Sequence, residues 1–273
     1  MSSLATPFQV TVHPFPSPTP SSCAYERGTP SAQNALVFIS GLTSGPHTTD
    51  LTFLANMLKQ SPELDYSLWE FRMRSSYTGF GYSSLANDVE DTAALVTYLR
   101  GIGKKKIVLI GSSSGMFPLP PSPPLSFSLT VDVPLSLTRT GCQACLEYTN
   151  RDKYQTPPVD GYILTSPVSD RESAFLFMSP EELERSLRVA KGRIEKGQEH
   201  EAMPREFVPF VFTTPVTAYR WHSLAAKGSV THPVAGLSCR YTDTDAAATM
   251  TTSRLTYPTR RLRLRLAGLT SPC

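Results

Sequence analysis

Ile107-Val-Leu-Ile-Gly-Ser-Ser-Ser-Gly115 is the stretch whose reading decides the fold. An aliphatic run ending on glycine has the pattern of a short strand buried on both faces, as in the middle of a parallel sheet. The run of small residues that follows dictates a tight, strained turn. Side chains at 111 or 115 would collide with the neighbouring strand or helix, and the turn holds the Ser113 hydroxyl clear of the backbone. A strand running directly into G-x-S-x-G is the context in which this otherwise common pattern marks a nucleophile. An ordinary strand-to-helix turn and a weak phosphate cradle are the competing readings. A P-loop would need a Gly-Lys-Ser/Thr ending, and a dinucleotide fingerprint a third glycine and an acid after a second strand.

Upstream, Ala35-Leu-Val-Phe-Ile-Ser40 is a second buried-strand run, closed by Gly41. Leu51 to Leu58 has helical spacing, and Ser67 to Met73 alternates as a strand. From Ser84 to Arg100, Leu85, Val89, Ala93, Val96 and Leu99 share one helical face, with Asn87, Asp88, Glu90 and Asp91 in the early turns where the helix dipole favours anions. Lys104 to Lys106 reads as a solvated strand entrance, and the residues before Ala35 as turn-rich. Downstream, Gly161 to Thr165 is a short strand. Ser179, Pro180 and Glu182 form a capping-box start for a charged helix to about Lys196. Alternating strands and helices predict a mostly parallel sheet with helices on both faces, and the G-x-S-x-G turn after a strand makes the expected fold α/β-hydrolase-like.

Two segments break this pattern. Met116 to Gly141 is Pro-rich and has no periodicity, so it reads as an insert. Residues 228–273 are rich in Thr, Ala and Arg and are expected to be disordered. The expected organisation is therefore a hydrolase-like domain over 1–227, with the insert at 116–141 and a cap region from about 175 to 227, followed by an atypical tail.

Composition excludes several function classes. The 273 residues carry 26 Lys and Arg against 23 Asp and Glu, a net charge of +3 that is not the footprint of a nucleic-acid binder. No apolar run is long enough for a membrane span, and no signal-peptide pattern opens the chain, so a soluble cytoplasmic protein is expected. Five cysteines are too few and too scattered for a disulfide framework. Cys142 and Cys145 form C-x-x-C without the second ligand pair a zinc site needs, and read as helix residues. Neither metal nor organic cofactor is expected.

A serine nucleophile needs backbone N–H donors for the oxyanion formed at the carbonyl. Gly41-Leu-Thr-Ser-Gly45 is placed to supply the Leu42 amide, and the residue after the nucleophile, Ser114, supplies the other. Taken alone, Gly41 to Gly45 could equally be an ordinary turn.

Phe38 to Thr43, Gly111 to Gly115, Gly141-Cys-Gln143, Ser166-Pro-Val-Ser-Asp-Arg-Glu172 and Thr214-Pro-Val-Thr-Ala-Tyr-Arg-Trp-His-Ser223 resemble the fungal fusarinine C esterase group of α/β-hydrolases, from about Ala35 to Lys227. The resemblance implies an intracellular serine esterase that opens ester bonds in hydroxamate siderophores, with iron arriving only as part of the substrate. In the family pattern, Cys-Gln and a helix follow the elbow glycine at once. Joining Gly115 to Cys142 restores that pattern, so Met116 to Gly141 reads as a translated intron. With a Pro-rich loop in its place, the helix that should start beside the nucleophile is expected to be missing from the elbow, leaving the turn slack. The resemblance also places Tyr219, Trp221 and His222 in the cap over the pocket.

No complete triad can be assigned. His13 and His47 precede the nucleophile, against the Ser, acid, His order of the fold. His200 reads as a solvated surface residue, and His232 with Asp243 or Asp245 has the wrong order. The resemblance puts Asp170 in a structural loop. It also implies a later strand bearing the acid and a late His, neither of which the tail carries, so the normal C-terminal part is expected to be lacking. The readings that stand are a serine carboxylic-ester hydrolase acting on a small-molecule ester such as a hydroxamate siderophore, a hydrolase of an unrelated lipid or peptide ester, and an inactive or truncated hydrolase fold that at most binds a ligand.

Overall fold

The computed structural model describes residues 7–41, 43–48, 51–112, 140–165, 171, 174–175, 177–210, 212 and 214–226. Among them, six strands form one sheet: β1 (Thr11–Pro14), β2 (Cys23–Arg27), β3 (Asn34–Ile39), β4 (Tyr66–Phe71), β5 (Ile107–Ser112) and β6 (Gly161–Thr165). Their order is β1-β2-β4-β3-β5-β6. β4, β3, β5 and β6 are mutually parallel, and β1 and β2 add an antiparallel edge.

Period-two alternation in the central strands fills both faces. Ala35, Val37 and Ile39 of β3 lie in one cluster with Trp69, Phe71, Ile107 and Leu109. Leu36 and Phe38 lie in another with Leu68 and Ile110. The second face is covered by α1 (Thr52–Gln60) through Ala55 and Leu58. The first is covered by α2 (Leu85–Gly101) through Val89, Leu95, Val96 and Leu99, and by α3 (Thr140–Tyr148) through Ala144, Cys145 and Tyr148. Burial of each large aliphatic side chain contributes about 1.5–3 kcal/mol, so these two layers hold the sheet.

Of the three helices read from the sequence, the two later ones carry capping boxes, whereas α1 has no side-chain cap. Ser179 and Glu182 form the capping box of α5 (Pro180–Glu195): the Glu182 amide donates to Ser179 Oγ at 3.2 Å, and the Ser179 amide to Glu182 Oε2 at 2.7 Å. Ser84 and Asn87 form a second box on α2, where the sequence had suggested only a favourable charge pattern. A short helix, α4 (Arg151–Tyr154), follows α3.

Two expectations are corrected. The turn-rich start contains β1 and β2, whose polar sequences conceal them. Lys104 is buried rather than solvated: its ammonium donates to Glu26 Oε1 at 2.8 Å, Ala32 O at 2.7 Å and Ser67 Oγ at 3.1 Å. The polar residue of β2 and the first lysine of the run conceal each other because each satisfies the other; Lys105 and Lys106 remain exposed.

A second core joins α5 to α6 (Ala218–Ala225). Leu183, Leu187 and Ala190 pack with Ala218, Trp221 and Ala225, and Phe80 from the connection after β4 joins them. The Trp221 indole donates to Ser186 Oγ at 3.0 Å. The Pro-rich segment up to residue 139 and the tail from 227 onward lie outside the described residues, as do the expectations made for them. Among the described residues, no helix is long and apolar enough to cross a membrane.

Candidate active site

Parallel pairing brings three connections to one edge of the sheet. Ile39 stands opposite Gly111 and Ser112 opposite Thr165, so β3, β5 and β6 end together. That carboxyl edge is where open α/β sheets bind ligands. Ser113, Ser114, Leu42 and Asp170 lie outside the described residues; the first three follow directly on Ser112 and Gly41.

The helix expected to be missing from the elbow is present at the strand end, which corrects that expectation. Gly141, in the first turn of α3, lies against β5 so closely that a Cβ on it would stand 2.5 Å from Ser112 O and 2.3 Å from Ile39 O. A Cβ on Gly111 would stand 2.6 Å from Gly141 O. Strand end and helix start therefore touch through two glycines, and the helix is docked by the sheet rather than by chain continuity. The Cys142 thiol reinforces the contact, with Gly111 O at 3.1 Å and Thr165 O at 3.3 Å. Burial, aided by Cys142, pushes the Cys145 thiol well up, the opposite of what a reactive thiol needs.

The connection after β3 is held by a dense set of bonds. Ser44 N donates to Gly41 O at 3.1 Å, Gly45 N to Thr48 Oγ1 at 3.1 Å, and Thr48 Oγ1 to Gly45 O at 2.7 Å. Tyr77 closes over it: Tyr77 N donates to Ser44 O at 3.0 Å, its hydroxyl donates to Pro46 O at 2.8 Å, and a Cβ on Gly45 would stand 2.5 Å from its ring. Buried Glu70 of β4 accepts from His47 N at 2.9 Å, and its other oxygen lies 3.3 Å from His47 Nδ1. Thr43, His47 and Tyr77 all have left-handed backbones, with φ of 61°, 67° and 57°. Each such conformation costs about 1–2 kcal/mol in a residue with a Cβ, so the surrounding bonds must over-determine it.

Tyr219, Trp221 and His222 all lie on α6 but not in one environment. Tyr219 is exposed, Trp221 is buried in the α5–α6 core, and His222 is half-buried. Burial first, and then the nearby Lys191 charge, hold the His222 imidazole below its ordinary range. Of the other described histidines, His13 lies 3.2 Å from Glu26 and 3.0 Å from the Tyr98 hydroxyl, and the His200 side chain is 86% exposed. Glu199 Oε1 stands 3.7 Å from His200 Nε2 in the chain order that a triad on this fold requires, but the His200 ring lies in solvent, so the pair is a surface contact and not a triad.

Besides the packing of Phe80, polar groups join the α6 layer to the body at Thr217 and at Arg220. Thr217 N donates to Gly81 O at 2.8 Å. Arg220 and Asp88, both fully buried, face each other at 3.8 Å, too long for a hydrogen bond. Desolvation pushes the Asp88 carboxyl up to about 6; Arg220, and then the Ser75 hydroxyl, offset only part of it. Glu70, Tyr77 and this pair were missed from the sequence. Only the paired Gly79 and Gly81 beside Tyr77 hint at a crowded junction: a Cβ on Gly81 would stand 2.0 Å from Pro215 O.

Comparison with known proteins agrees with this architecture. The model of the DUF1749 family, described as a protein of unknown function, matches residues 1–117 and 136–232, passing over part of the Pro-rich segment. The chain is 28% identical over 195 residues to UPF0613 protein PB24D3.06c of Schizosaccharomyces pombe, covering 69% of this chain and 52% of that protein. It is 28% identical over 158 residues to fusarinine C esterase sidJ of Aspergillus fumigatus, covering 55% and 41%. The chain thus spans about half the length of these curated relatives. Siderophore hydrolase EstB from Aspergillus fumigatus superposes with a TM-score of 0.52 at 22% identity, covering 82% of this chain and 65% of EstB. An α/β-hydrolase-fold protein of unknown function gives 0.52 at 18% identity, covering 81% and 64%. The fold is that of the α/β-hydrolases.

Proposed function

We propose that this chain, which belongs to the DUF1749 family, is a serine carboxylic-ester hydrolase that acts on small-molecule esters of the hydroxamate siderophore class. The single observation that carries the reading is the docking of α3 on β5 through Gly111 and Gly141, immediately before the serine of G-x-S-x-G. In the proposed reaction Ser113 attacks the ester carbonyl, and the Leu42 and Ser114 amides receive the developing oxyanion. Collapse of that intermediate breaks the ester C–O bond and expels the alcohol, which takes up the proton lost by Ser113. Water then hydrolyses the acyl-enzyme to the carboxylic acid and returns the proton to Ser113.

The siderophore class is supported by the likeness to fusarinine C esterase sidJ. Tyr219, Trp221 and His222 are proposed to shape the pocket from α6, Tyr219 and His222 through their accessible edges and Trp221 by holding the helix in place. Among the described residues Cys23 and Cys145 are free thiols, which suits a reducing compartment, and we place the activity in the cytoplasm. The Pro-rich segment is proposed to be an insert, a translated intron. Removing 115–140 leaves the same joined sequence as removing 116–141, and with the first choice Gly141 keeps its place in α3.

Turnover of fusarinine-type esters beside short acyl esters tests the substrate class. A preference for the fusarinine type that disappears in Ser113→Ala is expected; equal turnover of both would sink the siderophore assignment. A second reading, a hydrolase fold without hydrolysis, is favoured by the engagement of His13 with Glu26 and Tyr98 and of His47 with Glu70. It requires that no ester be turned over at all.

A further inference from the structure

Three of the described non-glycine residues with left-handed backbones, Thr43, His47 and Tyr77, belong to a single bonded unit at the carboxyl edge of the sheet. Conformations of this kind persist only where surrounding contacts impose them, and they concentrate where placement of the backbone matters. Here the contacts come from two side chains outside the loop. Tyr77 holds it from one side, by its ring against Gly45, its hydroxyl on Pro46 O and its amide on Ser44 O. Glu70 binds both the amide and the ring of His47 from β4. The His47 ring is further packed by Tyr25 and Phe8, with centroids 4.6 and 5.6 Å away.

The loop gains no large apolar core from this arrangement, since Tyr77 is itself exposed at its outer face. What the bonds do fix is the course of the backbone on both sides of residue 42. We propose that Tyr77 and Glu70 are positioning residues that hold the loop after β3 so that the Leu42 amide can donate to the oxyanion. The inference rests on the esterase reading above. A preorganised donor gives its stabilisation without reorganising during reaction, whereas a displacement of about 1 Å costs up to about a hundredfold in rate. Burial and the nearby Tyr25 and Glu70 groups hold the Tyr77 hydroxyl protonated, so it remains a donor to Pro46.

The test uses the full chain with Tyr77→Phe, Tyr77→Ala, Glu70→Gln and Glu70→Ala. Three readouts are kinetics on a short acyl ester, amide hydrogen exchange at residues 44, 45, 47 and 48, and the denaturation midpoint. The expected result is a fall in kcat of about tenfold to a hundredfold for the alanine variants, with KM within about twofold and the midpoint little changed. Glu70→Gln, which keeps an acceptor for His47 N, and Tyr77→Phe, which keeps the ring on Gly45, should recover part of the loss. Exchange at the four amides should accelerate in the same order. Unchanged exchange overturns the proposal, as does accelerated exchange with kcat intact, or a fall in kcat that only follows the loss of global stability. A wild-type chain inert to a fluorophosphonate probe sinks the esterase reading itself and removes the catalytic purpose of the clamp. Exchange then shows separately whether the clamp exists.

Discussion

Lys104 and Arg220 are both buried cations facing a buried carboxylate, yet their surroundings differ. Lys104, just before β5, places its three N–H donors on Glu26, Ala32 O and Ser67 Oγ, within 3.1 Å. Arg220, on α6, stands 3.8 Å from Asp88, and its Nε, Nη1 and Nη2 find no hydrogen-bond partner among the described residues. Attraction between charges is common to both; satisfied hydrogen bonds are not. A buried pair withstands desolvation only when its remaining donors and acceptors are filled. The amino edge of the sheet is therefore built as a fixed scaffold, and the joint between α6 and the body is the softer element.

The largest effect should come from breaking the satisfied pair. Lys104→Met strands Glu26 and is expected to cost about 3–5 kcal/mol in chemical denaturation; a loss under about 1 kcal/mol would erase the contrast. The softer pair should reveal itself through pH. Asp88 binds its proton more tightly in the folded state, with a pKa of about 6 against 3.8. Its contribution therefore favours folding most at low pH, declines as pH rises from about 4 through 6, and is flat above. Relative to Asp88→Asn, the wild-type chain should lose stability across that window, by at most about 3 kcal/mol. Parallel curves would show that Arg220 satisfies the carboxylate after all.

A third junction has no charge, and strains only on contact. Gly141→Ala forces a Cβ to within 2.3 Å of Ile39 O and should cost about 1–3 kcal/mol, because backbone lies on both sides of it. The smallest effects compare the same motif in the two regions. Ser84→Ala on α2 and Ser179→Ala on α5 should each cost about 1 kcal/mol in thermal unfolding, from loss of the capping box. A much smaller loss for Ser179→Ala would mean that the α5–α6 layer unfolds apart from the body.

The four parallel strands were legible because Ala35 to Ser40 and Ile107 to Ile110 must be apolar on both faces. β1 and β2 were not, since a strand that buries Glu26 and Arg27 looks like loop until Lys104 is seen beneath it. The G-x-S-x-G pattern stood out in the sequence because its small residues are consecutive. The clamp on the loop after β3 could not, because Glu70 and Tyr77 lie 23 and 31 residues beyond their partners His47 and Pro46 and form no motif with them. The place of α3 was misjudged for a related reason: 26 positions separate Gly115 from Gly141 in the chain, yet Gly141 is brought to the end of β5 by a sheet that does not depend on the intervening sequence.

The central claim, that Ser113 is a nucleophile activated at the end of β5, is tested most directly by fluorophosphonate labelling of the full chain followed by peptide mapping. A single covalent adduct on Ser113, absent in Ser113→Ala, is expected. An unlabelled wild-type chain, or an adduct on another residue, would contradict it.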